Sequence, residues 1–326
     1  MPELDVVALV WLPHEARTAS FADWFDAPLY NIHYLRQKRP IYAPFKYPLQ
    51  WFKTWYEMSR VRPKYIYVCD SPPVAGLCIY VYCLFTKTKY ILDTHTPNLL
   101  GKKWGWTAPL QRFLAKRATM NVVDQESIAD IFRSWNAPVM VLENPPKEIP
   151  SEWLQEVDPD APIEFTYVGT FGSDEPIDIL TDAARQLPHI KFHILGDPGL
   201  APRELIENAP DNVNFPGYLL KDEYWGLLSR SRAVIVLTTH SFSLSGAAQD
   251  GFHIQKPVIL SDQPTLRLFF KKGTVFVEHT TESMVEAIQT LLENEETLND
   301  EMKELYHEVS EEWQQNFKPL QDLTKS

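Results

Sequence analysis

Cysteine is scarce in this chain: only Cys69, Cys78 and Cys83 in 326 residues. An odd number cannot close a full disulfide framework, and no His or further Cys lies beside them at ligand spacing. Packed, reduced thiols in a cytosolic protein are therefore expected. Long hydrophobic runs are missing as well. The longest, Pro72 to Phe85, is shorter than the roughly 20 residues that a bilayer span requires and suits a buried helix. Met1–Trp11 has neither a basic n-region nor a small-residue cleavage site, so it is expected to be a first strand and not a signal peptide. There is no low-complexity tract and no internal repeat. The G-x-G of a dinucleotide fingerprint is also absent, so a nicotinamide enzyme is not the first reading.

What is present points to a globular α/β protein. Hydrophobic residues make up 44% and aromatics 13%, and the length allows two domains, each with its own core. The net charge of −12 hides an asymmetry. Residues 1–146 hold 17 Lys and Arg against 12 Asp and Glu, whereas residues 147–326 hold 14 against 31. Within 34–120 the balance is 15 to 3. Opposite signs in the two halves suggest two domains with different partners, the basic one facing something anionic, or two charged faces that attract each other.

Strands and helices alternate along both halves. In the first, LDVVALVWL is a strand, and WLPHEARTASFADWF is a loop and helix with Thr18 or Ser20 as N-cap. YIYVCDSPP, KYILDTHTP, TMNVVD and PVMVLENPP follow as strands, separated by the apolar helix 74–85, RFLAKRA and SIADIFRSW. Residues 145–162, rich in proline and acid, suit an interdomain linker, placed at 147–162. The D-x-D of Asp158 and Asp160 falls among its prolines, a poor place for a metal. In the second half IEFTYVGTFGSDEPID, KFHILGDPG, VNFPGYLLKDEYWGLLSRSRAVIVLTT and IQKPVILSD repeat strand, loop and helix, the pattern of a doubly wound parallel sheet. Such sheets bind ligands beyond the carboxyl ends of their strands, where glycine lets a ligand approach the backbone. From Glu301 the chain is an amphipathic helix carrying Trp313 and Phe317.

YVGTFGSDEPID, ILGDPG, VNFPGY and DGFHIQKPVILSD, in that order over roughly residues 160–295, resemble the GT-B glycosyltransferases of the family-four (group 1) type. DSPP, the DTH of Asp93 to His95 and ENPP resemble, over shorter stretches, the lipid-linked β-mannosyltransferases of N-glycan assembly and related bacterial sequences. The resemblance implies two Rossmann-like domains facing a cleft: 1–146 on the acceptor side and 163–300 binding a nucleotide sugar, with 301–326 as a helix crossing back to the first. It implies transfer of a sugar from a nucleotide-sugar donor to a lipid-linked or polysaccharide-precursor acceptor, with no metal and no cofactor. The chain departs from the family pattern at four positions. Thr170 and Glu175 stand where members place an Arg and a Lys on the donor diphosphate, and Phe242 and Asp250 stand at the paired glutamates. Loss of the first glutamate favours inversion, as in the β-mannosyltransferase branch.

The residues suggest how the chemistry would be divided. Ser243, Ser245, Gly246 and Ala247 precede a helix whose amides can hold phosphate oxygens without a metal. An ordinary serine-capped turn has the same pattern. Asp250, one turn in, suits ribose hydroxyls or a solvated first-turn acid. Gly169 and Thr170 would border the same cleft, with Gly196, Asp197, Gly217 and Tyr218 lining the base slot unless they are turn chemistry alone. His14 and Arg17, in the first loop of the basic half, are the candidates for phosphate or acceptor binding. Asp93 and His95 end a strand on one face, and His95 suits the base that takes the acceptor's proton. His240, His253 and His279 are expected to be structural.

Residues 34–64 interleave eight Lys and Arg with Trp, Tyr and Phe, as interfacial helices on anionic membranes do. A core helix with its charges in water is the alternative, and nothing else suggests a nucleic-acid module. The chain is thus expected in the cytoplasm, with peripheral contact to the inner face of the cell membrane. A non-catalytic relative that binds a protein, or a sugar-nucleotide epimerase on the same fold, remains open beside the transferase.

Overall fold

The structure is a computed structural model that describes residues 5–13, 15–35, 40–94, 105–158, 161–240 and 245–325. The chain divides into two compact units, residues 1–146 with 311–326, and residues 147–310. Each is built on a six-stranded parallel sheet.

In the first unit the strands are β1 (Val6–Val10), β2 (Leu29–Asn31), β3 (Tyr65–Cys69), β4 (Lys89–Thr94), β5 (Met120–Val123) and β6 (Val139–Val141), in the order β2-β1-β3-β4-β5-β6. Every residue of β1 and β3 is buried. These are continuous runs of β-branched and aromatic side chains, which is how a strand covered on both faces is composed. Its helices are α1 (Ala16–Trp24), α2 (Ala43–Val61), α3 (Pro73–Leu84), α4 (Ala108–Ala115) and α5 (Glu126–Ser134). The cap of α1 is neither Thr18 nor Ser20. Glu15 is the N-cap, its carboxylate accepting the amides of Arg17 and Thr18, because the helix begins a turn earlier than expected. The apolar run becomes α3, with Cys69 and Cys78 buried and no cysteine in a disulfide. The short β2 was not anticipated, as its three residues carry no periodic signal.

In the second unit β7 (Glu164–Val168), β8 (Lys191–Leu195), β9 (Val213–Gly217), β10 (Val234–Val236), β11 (Val258–Ser261) and β12 (Thr274–Val277) lie in the order β12-β11-β10-β7-β8-β9. Helices α6 (Ile177–Gln186), α7 (Arg203–Glu207), α8 (Lys221–Arg230), α9 (Gly246–His253), α10 (Pro264–Phe269) and α11 (Thr281–Glu293) cover it. Residues 147–158 do not hang free as a linker. Gln155 accepts Arg230 and donates its amide to Ser229 on α8, and the amide of Lys147 reaches Nδ1 of His253.

The last helix, α12 (Glu295–Lys325), starts six residues before the expected Glu301. Its residues to Ser310 belong to the second unit and those from Glu311 to the first, where Trp313, Phe317 and Leu320 are buried. No helix among the described residues is long and apolar enough to cross a membrane.

Candidate active site

In the second unit the carboxyl ends of β7, β8 and β9, three adjacent strands, open into a pocket of about 340 Å³. Six residues singled out from the sequence, Gly169, Thr170, Gly196, Asp197, Gly217 and Tyr218, line it together. Their neighbours on the wall are Val168, Leu195, Leu200 and Leu219, with Lys221 and Tyr224 from α8. Close neighbours dictate two of the glycines, by backbone at Gly196 and by side chains at Gly169. Gly196 sits at φ +149°, and a Cβ there would lie 2.6 Å from the Phe171 ring and 2.8 Å from the Gly169 carbonyl. At Gly169 a Cβ would lie 2.6 Å from the Glu175 carboxylate. The wall is mostly apolar, and Leu200 and Tyr218 stand exposed on it, which suits a flat ring with a few polar attachments. Asp197 also has its turn role, accepting the Gly199 amide at 2.9 Å.

Glu175 is the residue that changes the reading of this loop. Its carboxylate accepts the Thr170 amide at 2.8 Å and the Thr170 hydroxyl at 2.9 Å, and the Tyr167 phenol donates to it at 3.3 Å. Thr170 stands where family members place an Arg on the donor diphosphate, but both its donors serve Glu175. The physical reason is local. An acid five residues on, held just before α6, closes the loop as an internal acceptor, much as a phosphate would. Burial and that carboxylate push the Tyr167 phenol up strongly. Asp174 ties the same loop to the end of β10 by accepting the Thr238 hydroxyl at 3.1 Å.

Ser245, Gly246 and Ala247 begin α9 but do not line the pocket. Ser245 is the N-cap without a side-chain cap bond, no acid lies in the first turn, and a Cβ on Gly246 would meet nothing within 4 Å. Asp250 stands one layer behind the wall. It accepts the Tyr224 hydroxyl at 2.7 Å, and burial raises its carboxyl above the ordinary range. Tyr224 is therefore the link from pocket to α9 that sequence reading missed. Its only sequence signal was an aromatic on a helix face, which core packing explains equally well. His253 is buried and kept neutral by desolvation, its pKa lowered to about 3, as the structural reading expected.

In the first unit the expected loop cation is elsewhere. Arg17 lies in the first turn of α1, 5% exposed. Its Nε bonds Asp93 at 3.0 Å, Nη1 bonds Asn144 at 3.1 Å, and Nη2 bonds the Leu142 carbonyl at 2.7 Å. The phosphate role given to Arg17 is thus replaced by a structural one, because the guanidinium neutralises a buried carboxylate. Asp93 itself is fully buried at the end of β4, so it is not presented to a substrate. Asp70, after β3, completes the group: its amide donates to the Asp93 carbonyl at 2.9 Å, and burial, then the Asp93 charge, raises its carboxyl to about 8. His14, His95 and Ser243 lie outside the described residues.

Residues 162–294 match the family model for glycosyl transferases group 1. Among curated proteins none matches the chain. Solved structures similar in fold include a sucrose-phosphate synthase from Thermosynechococcus elongatus (13% identity, TM-score 0.64, 97% of this chain and 98% of that one). A glycosyltransferase from Rickettsia africae is 12% identical with a TM-score of 0.64 over 100% of both chains. HepE from Anabaena, solved with UDP and glucose, is 13% identical with a TM-score of 0.60 over 97% of this chain and 99% of that one. Two parallel doubly wound sheets of this order, a pocket at the strand ends and the family match over the pocket-bearing unit lead to one conclusion: the chain has the GT-B fold, and its second unit is similar to the glycosyl transferases of group 1.

Proposed function

We propose that the chain moves a sugar from a nucleotide-activated donor, held in the second unit, to a lipid-linked or polysaccharide-precursor acceptor taken by the first, without a metal. The observation that carries the donor half is the convergence of Gly169, Thr170, Gly196, Asp197, Gly217 and Tyr218 on one pocket. In this reading the apolar wall takes the base. Tyr224 and Lys221 meet the ribose and the first phosphate, and the uncapped amides of α9 take developing charge on the leaving diphosphate. UDP with glucose in the similarly folded HepE supports a donor of that class.

His95, which follows the end of β4 directly in sequence, serves as the base that accepts the acceptor's proton. Its replacement by Ala lowers turnover by about a hundredfold or more, the scale of a lost general base, with donor binding near normal. His95→Asn recovers little if proton transfer is the role. Parent-rate turnover by His95→Ala removes the assignment.

The acceptor's lipid and the basic aromatic segment 34–64 fit together if the chain rests on an anionic membrane surface. Glu175 supports a second reading, a non-catalytic GT-B protein, since its carboxylate occupies donors that a diphosphate would use. Thermal shift against a panel of nucleotide sugars decides between them. Stabilisation by one donor class, abolished by Gly196→Val, is expected of the transferase, and stabilisation by none at saturation leaves the partner-binding reading.

A further inference from the structure

Helix α2 buries polar as well as apolar side chains, with Tyr47, Trp51 and Trp55 packed on the core, and still leaves an apolar row exposed. Lys46, Gln50, Thr54 and Met58, one per turn, face inward and are buried. Gln50 Nε2 donates to the Trp11 and Ile32 carbonyls, and the Trp11 indole donates to Thr54 Oγ1 at 2.9 Å. The outward face carries Phe45, Leu49, Phe52 and Tyr56, between 48% and 74% exposed, and Ile41 just before the helix is 75% exposed. Trp55 meets the rings of Tyr82 and Phe85 at 5.9 and 6.0 Å. This sets the end of α3, with exposed Leu84 and Phe85, beside the end of α2.

Next to this row, where β3 and β4 begin, is a hollow of about 530 Å³. Arg62, Lys64, Lys87 and Lys89 line it, and none of its lining residues is acidic. Asp5 pairs with Lys64 at 2.8 Å, and Lys89 reaches the Tyr65 hydroxyl at 3.3 Å. The hollow lies at the opposite end of the sheet from Asp70 and Asp93. Two of its cations come from outside segment 34–64.

We propose that this hollow binds the phosphate of an anionic bilayer lipid while the apolar row of α2 enters the acyl boundary. The inference rests on the membrane reading above and gives it a defined headgroup site. Charge complementarity argues for a phosphate, and the adjoining exposed aromatics argue for a lipid source, since a soluble phosphate would leave them unexplained.

Flotation of the full chain with phosphatidylcholine vesicles, with or without phosphatidylglycerol, tests it. The chain is expected to float with the mixed vesicles and to be released by high salt. Lys87→Ala with Lys89→Ala is expected to lower partitioning about thirtyfold, the effect of two interfacial cations, with an unchanged melting temperature because both side chains are exposed. Lys318→Ala with Lys325→Ala removes the same charge from exposed positions of α12, on the opposite face of the sheet from α2 and α3, and is expected to leave partitioning within about twofold, since surface charge acts weakly at distance. Equal losses in the two double variants would overturn the site in favour of diffuse charge. Wild-type flotation with no loss in Lys87→Ala, Lys89→Ala overturns the site alone. Absence of wild-type flotation removes the membrane reading itself. Binding of glycerol 3-phosphate to the vesicle-free chain as tight as vesicle binding would reassign the hollow to a soluble phosphate.

Discussion

At the loop after β7 the Glu175 carboxylate holds both donors of Thr170, so the anion the loop can accept is already supplied by the chain. Glu175→Gln keeps an acceptor for Thr170 and removes the charge. A unit charge several ångströms from a phosphate, at intermediate dielectric, amounts to about 1 kcal/mol, so nucleoside diphosphate affinity is expected to rise roughly five- to tenfold. Calorimetric titration measures this, and unchanged affinity would place the phosphates away from the loop. In the first unit, Asp70 holds its proton to about pH 8 when folded, against an ordinary value near 3.8. Between those values the unfolded chain releases a proton that the native state keeps, so this group makes stability fall as pH rises from about 4 to about 8 and adds no slope above. Asp70→Asn is expected to flatten that part of the pH–stability curve measured by chemical denaturation. Arg17→Ala removes the guanidinium paired with buried Asp93 and is expected to lose about 3–5 kcal/mol of stability, while nucleotide binding in the second unit stays as in the parent.

At the scale of elements, α12 shows how one helix serves two cores. Its last three turns bring Trp313 and Phe317, stacked at 4.7 Å, against Phe21, Trp24 and Phe25 of the first unit, and the Trp313 indole donates to the Glu143 carbonyl at 3.2 Å. Phe317→Ala opens a cavity in this cluster and is expected to cost about 3–5 kcal/mol, read from the denaturation midpoint of the first unit. The amphipathic spacing made this helix legible from sequence, and its aromatics marked a packing role. Its first turn was not legible, because Glu295 and Glu296 on the helix and solvated acids of a loop have the same composition. The orientation of α2 was hidden for a related reason. Apolar and polar residues both recur at helical spacing, and only the partners Trp11 and Ile32, whose carbonyls need a buried donor, decide that Gln50 points inward.

Over the whole molecule the two units differ in what they hold ready: the second a pocket at its strand ends, the first a buried charge group at its own. Hydrogen exchange with a stabilising nucleotide sugar is therefore expected to protect residues 168–172, 195–200 and 217–224 and to leave β3 and β4 unchanged. Equal protection in the first-unit strands would contradict donor binding confined to the second unit. Sequence by itself determined the alternation of strands and helices, the GT-B class and the six pocket residues, because buried parallel strands and the glycines that end them are written in local pattern. Tertiary structure alone decided the pairings. That Arg17 meets Asp93, that Glu175 rather than a ligand takes Thr170, that Tyr224 carries Asp250 to the pocket, and that Lys87 and Lys89 join Arg62 and Lys64 all depend on which chain segments the fold brings within a few ångströms. A charged or hydroxyl side chain has the same local signal whether it faces water, a ligand or a buried partner, and only the packed environment sets its role.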